Sequence, residues 1–166
     1  MTLGLGISRG ERMDFGLQKA VELGVAEVVP LVTERCVVQL DSERALSRRV
    51  HWHRVMASAC EQCGRNRLPR LGEVAGVADW LAAASSGARL VLSPVAEAAL
   101  SDLPRPQGAV TLLIGPEGGL APAELALAAH RGFTPLRLGP RILRTETAVV
   151  AALAAIQACW GDLADR

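Results

Sequence analysis

Arg141, Arg144, Thr145, Glu146 and Thr147 crowd seven positions near the C-terminus, where an apolar strand gives way to a helix. Glu146 suits the positive end of that helix and Thr145 can cap it, so both have a structural account. The arginines do not, because a cation just ahead of a helix N-terminus opposes the helix dipole. A negative partner is expected near them, either an acidic side chain or an anionic ligand. A second block, Ile114-Gly-Pro-Glu-Gly-Gly119, supplies a loop whose chemistry is main-chain binding. Gly115, Gly118 and Gly119 let a ligand approach the backbone without meeting a Cβ, and Pro116 holds Gly115 extended. No Gly-Lys-Ser/Thr follows, which excludes a Walker loop. Neither this block nor Gly4-x-Gly6-x-x-x-Gly10 has dinucleotide-fingerprint spacing. Glu117 is the acidic residue of the loop; it can cap, or it can pair with Arg141.

Continuous apolar strands alternating with helices predict an α/β fold, a mainly parallel sheet covered on both faces by helices. Strands are expected at Leu3–Ile7, Val28–Val32, Cys36–Val38, Arg89–Leu92, Val110–Ile114 and Pro135–Leu138. Helices are expected at Glu11–Leu23 with Gly24 as C-cap, from Ser42 as N-cap to near Gly64, at Val77–Ala84, Val95–Leu100 and Pro122–His130, and at Glu146–Trp160. Arg65–Arg70 reads as a loop. Both chemistry-bearing blocks then sit where strands end, the place at which open α/β sheets bind ligands.

The chain has 166 residues, half of them apolar, enough for one core and one domain spanning 1–166. Its formal charge of +1 lacks the basic excess of a dedicated nucleic-acid binder. Lys19 is the only lysine, so positive charge rests on arginine, the better side chain for bidentate phosphate contacts. With no tyrosine, two phenylalanines and three tryptophans, the composition argues against an array of stacking rings, and RNA contacts would come from arginines and backbone. No membrane-spanning run or signal sequence is evident, and four cysteines form no dense framework, so a reducing cytoplasmic setting is expected, with no membrane partner. Cys60-Glu-Gln-Cys63 has redox spacing but lies late in a helical pattern, and without a second ligand pair no metal site is expected. His51, His53 and His130 read as structural.

These blocks, with Ser8-Arg9-Gly10, Gln18-Lys19-Ala20-x-Glu22-Leu23-Gly24 and Ala59-Cys60-Glu61-Gln62-Cys63-Gly64-Arg65, resemble the RsmE family. Its members are 16S ribosomal RNA uridine-N3 methyltransferases of the SPOUT superfamily. The resemblance runs from Leu5 to the C-terminus through five ordered motifs. It implies a SPOUT domain with a C-terminal trefoil knot, a rare exception to the rule against threaded chains. It also implies S-adenosyl-L-methionine as cofactor, the 30S subunit and its 16S rRNA as partner, and a homodimer. The family usually carries a PUA-type RNA-binding barrel ahead of the Ser-Arg-Gly motif, which here begins at position 8. The expectation is therefore a catalytic domain that binds S-adenosylmethionine but methylates RNA poorly by itself.

Carried onto this chain, the resemblance places Leu92, Leu113, Ile114, Gly115 and Gly119 on one side of a bent cofactor. Leu138, Gly139, Ile142, Leu143, Arg144 and Thr147 lie on the other. Catalytic candidates are Arg9 and Arg144, which could stabilise charge developing on the uracil, and Glu117 as a proton acceptor. Related enzymes send an early arginine into the partner's site, which favours Arg9 for that role. Arg9, Lys19, Arg65 and Arg141 are the RNA-binding candidates. Two other readings use the same residues: a SPOUT methyltransferase acting on tRNA or 23S rRNA, and a silent dimer that binds cofactor and RNA without turnover.

Overall fold

The computed structural model describes residues 1–38, 42–84 and 87–164, apart from the side chains of residues 42 and 164. Its elements run β1 (Thr2–Gly6), α1 (Glu11–Glu22), β2 (Glu27–Val32), α2 (Ser42–Cys63), β3 (Arg70–Leu71), β4 (Ala75–Gly76), α3 (Val77–Ala83), β5 (Ala88–Leu92), β6 (Val110–Ile114), α4 (Pro122–His130), β7 (Thr134–Leu136) and α5 (Thr145–Trp160). The strands form one sheet in the order β3-β2-β1-β6-β5-β7, with β4 also on β2, and every pairing is parallel.

Strand residues alternate between two cores, as a parallel sheet covered on both faces requires. Leu3, Leu5, Val28, Leu90 and Leu112 join the core under α1, α2 and α5, where Met13, Leu17, Trp52, Val149 and Leu153 are buried. Val29, Leu31, Val91 and Leu113 face the other way, onto Trp80, Leu81, Ala128 and Phe133 of the α3 and α4 side. Consecutive residues thus enter opposite cores.

Chain order reverses between β1 and β6: the chain first moves outward from β1 to β2 and β3, then crosses to β5 and β6. Leu5 and Ile114 pair at that boundary. The Ser-Arg-Gly turn after β1 and the glycine loop after β6 therefore leave the sheet side by side, at the switch point where such sheets bind ligands.

Several elements differ from expectation. Cys36–Val38 forms no strand; Cys36 instead closes a turn, its N–H donating to Thr33 O, with its Sγ 3.3 Å from Ile7 O. No helix forms over Val95–Leu100, because the chain turns after Pro94, leaves Val95 82% exposed and makes only a short 3-10 turn at Leu100–Asp102. Thr145 does not cap α5. It is the first helical residue, and Arg144, in extended conformation, precedes it. The side chain of Ser42, expected as an N-cap, lies outside the described residues. Gly24 does end α1: at φ 80° it lets its own N–H reach Val21 O and that of Val25 reach Ala20 O.

Candidate functional site

A cavity of about 590 Å³ opens at the C-terminal ends of β5, β6 and β7. One wall is the glycine loop, Gly115 to Gly119; the opposite wall is Leu138 with Ile142, Leu143 and Arg144; Leu92 and Ile114 form part of the floor. Ile142 is 86% exposed, an aliphatic side chain standing open at the cavity lip. Gly119 has φ 69° with no heavy atom within 4 Å of where a Cβ would stand, so the main chain is bare on that side.

Charge is distributed unevenly around this space. Arg12, Arg35, Arg137, Arg141 and Arg144 line it, against the carboxylates of Glu117 and Glu146. Among the described residues only Arg12 of these five arginines forms an ion pair, with Glu117 Oε1 at 3.2 Å. Glu117 Oε2 and Glu146 Oε2 are buried without a hydrogen-bond partner. Buried unpaired carboxylate oxygens are costly, so a cationic or donor group belongs opposite them.

Glu117 does not pair with Arg141. Its Oε1 accepts the backbone N–H of Arg9 at 3.0 Å as well as the Arg12 guanidinium, because β1 and β6 are neighbours and bring the Ser-Arg-Gly turn onto the glycine loop. Burial pushes this carboxyl up, but the Arg9 N–H and its own backbone N–H, helped by Arg12 and Ser8, outweigh that and leave it below 4.5. A carboxylate so stabilised is a poor proton acceptor. It also fixes the backbone of Arg9 beside the glycine loop. A pH dependence follows. Because the folded-state pKa is depressed, the stabilisation is present above the unfolded value and is lost as pH falls through the folded one. Urea unfolding of Glu117→Gln against the parent chain should show a deficit near neutral pH that shrinks below about pH 4.5.

Leu113, Gly139 and Thr147 were expected at the cofactor and do not line the cavity. Leu113 is fully buried in the α3–α4 core, Gly139 serves a turn at φ 68°, and Thr147 sits exposed on the first turn of α5. Arg9 is exposed and also outside the lining; only its backbone reaches Glu117. Lys19 is remote in its contacts: its Nζ lies 2.6 Å from Glu22 Oε1 and 5.5 Å from the Phe15 ring centre. Arg65 is engaged in holding the fold, its Nη1 donating to Val21 O and Val25 O at the end of α1. His51 similarly ties α2 to Asp14 of α1 at 2.8 Å. Burial pushes the Cys60 thiol up, the opposite of what a redox cysteine needs. Arg12 and Arg137, which line the cavity, went unnoticed in the sequence, as did two further residues. Arg35 lines the cavity from the turn after β2, and Glu124 supports that turn from α4. Neither belongs to a motif containing the loop it touches.

The RNA methyltransferase domain family matches residues 1–157 of this chain. Ribosomal RNA small subunit methyltransferase E of Buchnera aphidicola is 41% identical over 162 residues, covering 97% of this chain and 66% of the relative. Its counterpart in Bacillus subtilis is 33% identical over 161 residues, covering 91% and 62%. A crystal structure of the protein of that name from Neisseria gonorrhoeae, bound to S-adenosyl methionine, superposes with a TM-score of 0.91 at 44% identity, over 97% of this chain and 66% of that one. The chain thus spans just under two thirds of the length of these relatives. The resemblance read from the motifs agrees with all three.

Proposed function

The chain belongs to the RNA methyltransferase domain family, and we propose that it is the S-adenosylmethionine-dependent catalytic domain of a 16S rRNA uridine-N3 methyltransferase that works as a homodimer on the small ribosomal subunit. The observation that carries this reading is the cavity itself. Bare main chain on one wall, aliphatic side chains on the other and two partnerless carboxylate oxygens suit a ligand with a flat ring and a cationic centre. S-adenosylmethionine has both, and when bound it supplies an electrophilic methyl group.

The residues of this chain then have distinct tasks. Gly115 and Gly119 present backbone to the cofactor; Leu92, Ile114, Leu138, Ile142 and Leu143 give its ring an apolar slot; Glu117 and Glu146 offer negative charge to its cationic centre. Uridine N3 carries a weakly acidic proton, so the chain must favour the electron-rich form of the ring. Arg9 and Arg144 do so by donating to a uracil carbonyl oxygen as negative charge develops there. The N3 proton leaves to an acceptor beside the ring, either Glu117, whose Oε2 has no hydrogen-bond partner among the described residues, or solvent.

The same reading includes the trefoil knot. The segment after β7 passes from the edge of the sheet back to α1, and two contacts of the 93–109 loop flank it: Arg137 N–H donates to Ala98 O, and Arg105 donates to Trp160 O at the end of α5. A loop touching both ends of the returning segment suits a threaded chain.

Titration calorimetry with S-adenosylmethionine is the direct test. One molecule per chain is expected to bind, and no binding would end the proposal. Methyl transfer to unmodified 30S subunits, compared with tRNA and 23S rRNA, then identifies the substrate.

A further inference from the structure

We propose that Arg35 is an RNA-binding residue, taking a phosphate beside the target nucleotide, and that buried Glu124 is the positioning residue that holds it there; this rests on the function proposed above. Arg35 stands on the turn Thr33–Cys36 that follows β2, and three independent contacts pin that turn. Glu34 N–H donates to Glu124 Oε1 at 2.9 Å, Arg35 Nη1 donates to Gly118 O at 3.2 Å, and Cys36 Sγ lies 3.3 Å from Ile7 O. The turn is therefore clamped between the loop after β1 and the glycine loop, and Arg35 is its residue that lines the cavity.

Glu124 is only 8% exposed, and both of its oxygens are used: Oε2 accepts Ala121 N–H at 2.8 Å, closing the first turn of α4, while Oε1 reaches across to Glu34. Ordinary helix capping needs the first bond alone. The second joins segments ninety residues apart in sequence and costs burial of a carboxylate, a cost the two N–H donors offset. Fit at the contact is close. A Cβ on Gly118 would stand 3.0 Å from Arg35 Cβ and 3.1 Å from Arg35 O, so the backbones of loop and turn pack directly.

The ligand class follows from charge. Arg35, Arg137, Arg141 and Arg144 line the cavity with no ion pair to any described residue, and they come from both sides of it. A single carboxylate on a small ligand satisfies one guanidinium. Cations repeated along opposing lips match a polyanion with regularly spaced charges, the backbone of RNA. Arg35 spends one N–H on Gly118 and keeps the rest of its planar fork, exposed, for a phosphate.

The test pairs calorimetry with S-adenosylmethionine and binding of an unmodified 16S rRNA transcript across a salt series, on the same samples. Arg35→Ala is expected to weaken RNA binding about tenfold and to reduce the salt slope by about one phosphate contact, with cofactor affinity within about twofold of the parent. Arg35→Lys should restore the salt slope. Glu124→Gln keeps the volume but turns an amide N–H₂ against one of two donors; it should reproduce the Arg35→Ala loss, and the double variant should bind no worse than Arg35→Ala. Parent-like RNA affinity and salt slope in Arg35→Ala overturn the inference, as does a loss confined to cofactor binding. Failure of the parent chain to bind S-adenosylmethionine instead sinks the underlying function.

Discussion

Replacing Gly6 with alanine should remove methyl transfer while leaving the chain folded. Gly6 ends β1, paired with Leu31. A Cβ there would stand 2.4 Å from both Pro116 Cδ and Pro116 N, and 2.8 Å from the carbonyl carbon of Gly115. No flexible side-chain end can yield, because the obstacle is a proline ring and the main chain of the cavity wall. The glycine loop must move. Overpacking of this kind costs about 1–3 kcal/mol, within the roughly 5–15 kcal/mol that holds a domain together. The functional cost is larger, since misplacing a reacting group by about 1 Å can lower rates on the order of 10²-fold. Calorimetry with S-adenosylmethionine and a methyl-transfer assay would register this as lost affinity and turnover with a cooperative, modestly lowered melting transition. Gly64→Ala is the matched comparison. There the cost is backbone strain at φ 75°, with nothing within 4 Å of the new Cβ, so it should cost about 1–2 kcal/mol of stability and leave the cofactor bound. Cofactor affinity in Gly6→Ala equal to that of Gly64→Ala would mean that the glycine loop is not the wall against which the ligand lies.

Gly6 also marks where reading the sequence stops. In the chain it belongs to a glycine run with the wrong spacing for a nucleotide fingerprint, and its role depends on Pro116, one hundred and ten positions away, reached only because β1 and β6 are sheet neighbours. The long apolar strands and the helices of α1, α4 and α5 were legible, since their periodicity is local. The two-residue strands β3 and β4 were not, being shorter than any period. Arg65, which the resemblance offered to RNA, has a contact no spacing announces: its Nη1 donates to Val21 O of α1, forty-four residues away, and to Val25 O just beyond it. Glu117 shows both sides. Its motif lies along a cavity wall, yet of the two roles left open for it, a cap or a pair with Arg141, the ion pair forms instead with Arg12 from an early helix. Chemistry-bearing segments can be read from spacing; which of them meet is decided by strand order.

Strand order also frames the expected behaviour of Arg9. Its N–H is held by Glu117 of its own chain, but its side chain is exposed and absent from the lining of that chain's cavity. A guanidinium anchored at the rim and directed outward can serve the site of a second subunit. Arg9→Ala is accordingly expected to lower the methyl-transfer rate by roughly 10²–10³-fold, the cost of losing a donor to developing negative charge, with S-adenosylmethionine affinity retained. Mixing decides where it acts. Arg9→Ala chains keep a sound cofactor wall and lack the arginine; Gly6→Ala chains keep the arginine and lack the wall. If the arginine crosses the interface, a heterodimer of the two contains one complete site, and co-expression of the inactive variants should return a substantial fraction of parental activity. If Arg9 serves its own cavity, every site in the mixture carries one defect or the other and nothing is regained. The outward side chain leads us to expect recovery, and an inactive mixture of verified heterodimers would return Arg9 to its own subunit.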